Sequence, residues 1–105
     1  HLVLTTLHAG SCKGVLERLL TMCHDSFAVA AALGLVLNQR LLRRVCPACR
    51  GTGCDRCLQS GFTGRIPLVE WLPVDDALRP ALRNREISGL KPVRTLSDAA
   101  AALCE

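Results

Sequence analysis

Apolar residues fall along this chain in groups of different spacing, and the spacing assigns an element to each. Leu2-Val-Leu-Thr-Thr-Leu7 is a continuous apolar and β-branched run without helical periodicity, which predicts a strand buried on both faces, of the kind found inside parallel sheets. Such a strand needs neighbours on either side. Val15, Leu16, Leu19 and Leu20 then recur at the three-and-four spacing of one helix face, with Ser11 in position to cap the helix and an end near Met22. A second helix, capped by Ser26, is predicted through Phe27, Val29, Ala30, Leu33 and Leu37; it is apolar almost all round and is therefore expected to be sandwiched.

Two segments rich in strand formers follow, Gln39-Arg-Leu-Leu-Arg-Arg-Val45 and Gly64-Arg-Ile-Pro-Leu-Val-Glu-Trp-Leu72. A compact connection between them makes an antiparallel hairpin the natural reading, with Pro67 turned away from the partner strand or set at a bulge because it has no amide to donate. Beyond the hairpin, Asp75 and Asp76 open a helix toward Arg85 whose regular part Pro80 starts or kinks. Thr95-Leu-Ser-Asp98 has the form of a capping box ahead of a last helix through Ala99 to Leu103.

The connection inside the hairpin carries the chemistry. Cys46-Pro-Ala-Cys49 and Cys54-Asp-Arg-Cys57 are two CxxC turns separated by the four residues Arg50-Gly-Thr-Gly53. Each such turn aims two sulfurs at one point, and two turns make the tetrahedral S4 cage that Zn²⁺ favours. Pro47 stiffens the first turn, and Gly51 and Gly53 supply backbone freedom for the second to swing onto the same ion. A closed S4 site holds a fold together and performs no reaction. Spacing alone separates zinc imperfectly from an iron–sulfur cluster or from disulfides, so these stay as the competing readings.

Composition narrows the setting. A chain of 105 residues is about one domain and buries about two thirds of its unfolded surface. It opens at His1, its first run is wholly apolar and its last helix stops at Cys104-Glu105, so it is expected to be a piece of a larger protein. Seven cysteines would suit a secreted scaffold, but the number is odd, four are clustered and no signal sequence precedes them, which favours a reducing cytoplasm with Cys12, Cys23 and Cys104 free. The longest apolar run, Phe27 to Leu37, falls well short of the roughly twenty residues of a membrane span. The formal charge of +4 drops to about +2 once four thiolates hold a divalent cation, too mild to argue for nucleic acid. Between residues 40 and 65 the bias is sharper: Arg40, Arg43, Arg44, Arg50, Arg56 and Arg65 face only Asp55. These guanidinium groups either hydrogen-bond the thiolates and solvate the surface or form a docking patch for an acidic partner.

Taken in order, His1-Leu-Val-Leu-Thr-Thr-Leu-His-Ala9, Gln39 to Cys49, Cys54-Asp-Arg-Cys57 and Gly61-Phe-Thr-Gly-Arg-Ile-Pro-Leu-Val-Glu70 resemble the C-terminal part of the type II secretion and type IV pilus assembly ATPases. The resemblance covers nearly the whole chain. It implies an α/β fold, the C-terminal fragment of a RecA-like P-loop ATPase domain with helices, a strand pair and a small tetracysteine zinc module that projects from two strands. The implied division is 1–45 for the ATPase core with its histidine-box strand, 46–64 for the zinc module, and 65–105 for the return strand and last helices. The resemblance also implies that His8, preceded by Thr5 and Thr6, lies near the nucleotide γ-phosphate, that the complete enzyme uses ATP and Mg²⁺, and that Cys46, Cys49, Cys54 and Cys57 bind Zn²⁺. Its implied partners are the inner-membrane secretion platform and further copies in a ring, with a cytoplasmic location peripheral at the inner membrane. Two features depart from the family: the loop after His8 reads Ala9-Gly10-Ser11 where an acidic or amide pair is usual, and the four residues between the CxxC pairs are fewer than in many relatives.

No G-x-x-x-x-G-K-[ST] loop occurs in the 105 residues, so phosphoryl chemistry lacks its cradle, its lysine and its Mg²⁺-binding hydroxyl, and the chain alone is expected to be inactive. Two binding-module readings compete. Cys46-x-x-Cys-x-Gly-x-Gly53 matches one repeat of the zinc region of J-type chaperones, but the second degrades to Cys54-Asp-Arg-Cys57-Leu-Gln-Ser-Gly61. A nucleic-acid-binding zinc knuckle would use the arginines, yet Phe27, Phe62 and Trp71 are the only aromatic residues and do not interleave with them. His24 follows Cys23 without a matching ligand pair and reads as a connection residue, and Gln39 and Arg40 either line the nucleotide region or pair the strand edge.

Overall fold

Ser11 begins the first regular element, as its spacing predicts: its side chain accepts from the Gly14 amide and starts α1 (Cys12–Met22). The computed structural model describes residues 1–104, with Cys104 by its backbone alone. The order continues as α2 (Ser26–Ala32), β1 (Leu35–Val45), a 3₁₀ turn (Asp55–Cys57), β2 (Phe62–Pro73), α3 (Arg79–Arg83) and α4 (Leu96–Cys104). The expectation of a free Cys104 thiol lies outside the described residues.

β1 and β2 form a two-stranded sheet. It is antiparallel, since Val74 N donates to Gly34 O (2.8 Å) at one end and Cys46 N to Gly61 O (2.9 Å) at the other. By contacts the chain divides into two compact units, Gln39–Leu68 and the remainder, residues 1–38 with those from 69 onward. The larger unit has the apolar core, with Cys12, Leu16 and Leu20 of α1, Ala30 of α2, Val36, Leu72, Val74, Leu78, Leu82 and Ile87. Leu16 and Leu82 are fully enclosed, and burial on that scale stabilises by about 1.5–3 kcal/mol per side chain.

Two arginines finish the helices that build this unit. A helix leaves its last carbonyls without intrahelical donors, and these need partners when water is excluded. Arg85 donates to Leu20 O (2.8 Å) and His24 O (2.7 Å) at the end of α1, and Arg79 donates to Ala30 O and Leu33 O at the end of α2. Both place positive charge where the helix dipole favours it. The box at Thr95 forms reciprocally: Asp98 N donates to Thr95 Oγ1 (3.1 Å) and Thr95 N to Asp98 Oδ2 (2.9 Å).

Several sequence expectations are corrected. Leu2–Leu7 is not a strand; Leu2, Val3 and Leu4 are exposed, and no ladder partner for the run lies among the described residues. The second helix stops at Ala32 instead of reaching Leu37, because Leu33 is already extended (φ −79°, ψ 124°) and Leu35-Val-Leu-Asn38 alternates with a period of two: Val36 and Asn38 are buried, Leu35 and Leu37 exposed. That helix is not sandwiched either, since Phe27 stands exposed with Arg83 over its ring. Its cap is Asp25, which accepts from Ala28 N (3.0 Å), while Ser26 Oγ donates to Arg83 O (2.8 Å). The third helix is shorter than expected: Asp75 holds a turn by accepting from Leu78 N (2.9 Å), and α3 begins only at Arg79 with Pro80 in its first turn.

Candidate metal centre

Cys46 leaves β1 directly into the first CxxC turn, where Arg50 N donates to Cys46 O (2.8 Å) and Thr52 N to Cys49 O (3.1 Å). The second turn is the 3₁₀ segment, closed by Cys57 N to Cys54 O (3.2 Å) and Gln59 N to Cys54 O (2.9 Å). The residue after each pair, Arg50 at φ 52° and Leu58 at φ 51°, takes the left-handed conformation, so both turns bend back in the same way.

This folding brings the four Sγ atoms of Cys46, Cys49, Cys54 and Cys57 within 4.8 Å of one another. Three of the edges are 3.9 Å (Cys46 to Cys54), 3.8 Å (Cys49 to Cys57) and 3.7 Å (Cys54 to Cys57). A tetrahedral ion with metal–sulfur bonds of about 2.3 Å has sulfur–sulfur edges of about 3.8 Å, so the donors present fit a single ion of zinc size. Disulfides require sulfurs about 2.05 Å apart, and all four cysteines are free thiols. A multi-iron cluster places its cysteine sulfurs around several metals and so farther apart than a one-ion cage.

The shell around the sulfurs is backbone. Gly53 N donates to Cys49 Sγ, and Cys54 N and Gly61 N both donate to Cys57 Sγ, each at 3.2 Å. Such N–H groups favour thiolate over thiol. The Cys46 thiol is pulled down to about 6, first by the Thr63 hydroxyl and then by the Cys49 amide. Gly61 admits no side chain: a Cβ there would stand 2.5 Å from Gly51 O, and its φ of 76° is strained for other residues. The arginines stand differently from the thiolate-bonding arrangement considered from sequence. Arg43 lies over the Phe62 ring (4.2 Å), and Arg44, Arg50, Arg56 and Arg65 are exposed. Leu58 is exposed as well.

The four cysteines singled out from sequence therefore come together. His8 belongs to the other unit and is exposed, its carbonyl accepting from Arg18 Nη1 at 3.2 Å. Sequence reasoning missed Gly61 and Thr63 beside the sulfurs, and Asn38 and Glu70 in the larger unit. The last two had only a weak signal, a polar residue two positions from an apolar one, Val36 on β1 and Leu72 on β2.

The hairpin's connection thus brings four sulfurs into a cage of one-ion size, and comparison with known proteins gives the chain its family. Residues 1–100 match the Type II/IV secretion system protein family, and the chain belongs to that family. It is 38% identical to the type II secretion system protein E of Dickeya dadantii, over 93% of this chain and 24% of that protein. Against the type IV pilus assembly ATPase PilB the values are 36% in Myxococcus xanthus (80% of this chain, 20% of the relative) and 33% in Thermus thermophilus (93% and 15%). The chain thus spans about a quarter or less of the length of these relatives. The Dickeya alignment runs over 121 positions against a chain of 105, so that relative carries inserted residues in the matched region. No helix among the described residues is long and apolar enough to cross a membrane.

Proposed function

We propose that this chain is the C-terminal part of an ATP-hydrolysing motor that powers type II protein secretion or pilus assembly, with a RecA-like core and a tetracysteine module at 46–64 that holds one Zn²⁺. The family match over residues 1–100 carries the reading, and relatives named as a secretion protein and as pilus assembly ATPases support it. The S4 geometry supports zinc, which when bound supplies a cross-link and no reaction of its own. ATP and Mg²⁺ belong to the complete protein, since the phosphate loop is not among these residues. His8 contributes an imidazole near the γ-phosphate, a role that rests on the family resemblance. The exposed Arg50 and Arg56, with the exposed Leu58 directly after the second turn, make the module a docking surface for the inner-membrane platform, to which a cytoplasmic ring of such motors must pass its movement.

The test uses the complete protein. His8→Ala lowers ATP turnover at least about tenfold with the fold intact, the scale of one lost transition-state contact. Charge reversal at Arg50 and Arg56 reduces secretion or piliation more than it reduces hydrolysis. Measurable hydrolysis by the pure 105-residue chain, or wild-type output from a protein stripped of all four clustered cysteines, contradicts the proposal.

A further inference from the structure

The turn that follows His8 is gripped by two polar side chains in places a core normally gives to apolar ones. Asn38 on β1 is 8% exposed and Glu70 on β2 is 6% exposed, while Val36 and Leu72, two positions away on the same strands, are buried and apolar. Burying an amide or a carboxylate costs free energy unless each is hydrogen-bonded. Here the partners are the backbone of one short segment. Asn38 Nδ2 donates to Gly10 O at 3.0 Å, and Glu70 Oε1 accepts from Cys12 N at 2.7 Å.

Further contacts converge on the same segment. Cys12 has no exposed surface, and its Sγ lies 3.6 Å from Val36 O and 3.5 Å from Glu70 O. Arg18 holds His8 O, and Ser11 caps α1. Backbone groups at 8, 10 and 12 are therefore each tied to a side chain, two of those side chains coming from the strands and one from α1. Apolar residues at 38 and 70 would fill the same space but would not fix the direction of the turn. The Glu70 charge also lies at the N-terminal end of α1, where the helix dipole favours it.

We propose that Asn38 and Glu70 are positioning residues that fix the turn from His8 to Cys12 and thereby set where the His8 imidazole stands toward the nucleotide. The proposal rests on the reading of His8 given above. It differs from packing because the two side chains constrain a backbone path, so their loss is felt through His8.

Four variants of the complete protein test it: Asn38→Asp, which keeps the shape but turns a donor into an acceptor facing Gly10 O, Glu70→Gln, His8→Ala, and the double variant His8→Ala with Asn38→Asp. Amide exchange of residues 8–12 and the kinetics of ATP hydrolysis are measured on each. Asn38→Asp is expected to speed exchange at residues 8–12 and to lower kcat about tenfold with KM changed less than about twofold. Glu70→Gln, which retains an acceptor oxygen, has a milder effect in the same direction, and the double variant turns over no more slowly than His8→Ala alone. Faster exchange with wild-type kcat, while His8→Ala is slow, overturns the proposal, as does a double variant slowed by the product of the two single effects. Unchanged exchange in both strand variants overturns the grip itself, whatever His8 does. Wild-type turnover by His8→Ala overturns the reading of His8 and this assignment with it. If Asn38→Asp does not fold, Glu70→Gln, alone and combined with His8→Ala, is judged by the same results.

Discussion

Cys12 shows how much a residue's role depends on what surrounds it. In the sequence it is one of three cysteines outside the cluster; in the fold it is fully buried beside Glu70. Burial first, and the Glu70 carboxylate second, push its thiol from 9.0 up to about 12. A folded pKa above the unfolded one means that the folded state keeps its proton longer. The resulting stability is complete below about 9 and is lost as pH rises toward about 12. Denaturation of the wild type across that range is expected to show a falling stability whose slope exceeds that of Cys12→Ala; equal slopes refute the assignment. The four clustered cysteines were legible because CxxC spacing is itself a geometric constraint. Asn38 and Glu70 were only weakly legible, because their partners Gly10 and Cys12 lie far along the chain, and Gly61 and Thr63 were not, because the fold alone brings them to Gly51 and Cys46.

Among the elements, two local capping signals formed where expected, while the Ser26 cap and the helix start at Asp75 did not. The Ser11 cap and the Thr95 to Asp98 box involve side chains and amides three residues apart, so the sequence contains the whole interaction. The hairpin was also legible, although β1 and β2 run longer than the segments first assigned. Leu2–Leu7 and the extension of α2 to Leu37 failed for the opposite reason. An apolar run states that it can be buried, but whether it pairs as a strand depends on a partner, and Leu35-Val-Leu37 is as apolar in a strand as in a helix. The C-terminal carbonyls of α1 and α2 are capped from far along the chain, by Arg85 and Arg79. Arg85→Ala therefore leaves Leu20 O and His24 O without their charged donor and is expected to cost about 1.5–3 kcal/mol, read as a lower denaturant midpoint. A midpoint equal to wild type shows that water replaces the guanidinium without loss.

At the level of the whole molecule, the chain combines a unit with an apolar core and a unit, Gln39–Leu68, in which Leu41, Leu42 and Val45 remain exposed. Residues 39–68 contribute only Cys46, Cys57, Gly61 and Leu68 as buried positions, too little apolar burial to order thirty residues. Metal ligation can supply what packing does not, since binding of structural zinc is worth about 10–16 kcal/mol to small zinc-folded peptides and appears as folding energy. Losing one ligand is then expected to unfold this unit while the apolar core of the other stays formed. Secretion and pilus assembly relatives match this chain at similar identity, 38% and 36%. Whether the four sulfurs hold zinc is decided by the metal content of the purified protein, measured by elemental mass spectrometry on wild type and on Cys49→Ser. One zinc per wild-type chain in a colourless sample is expected, with the zinc lost in the variant; a metal-free wild type with paired disulfides, or a coloured protein carrying iron, contradicts the zinc assignment.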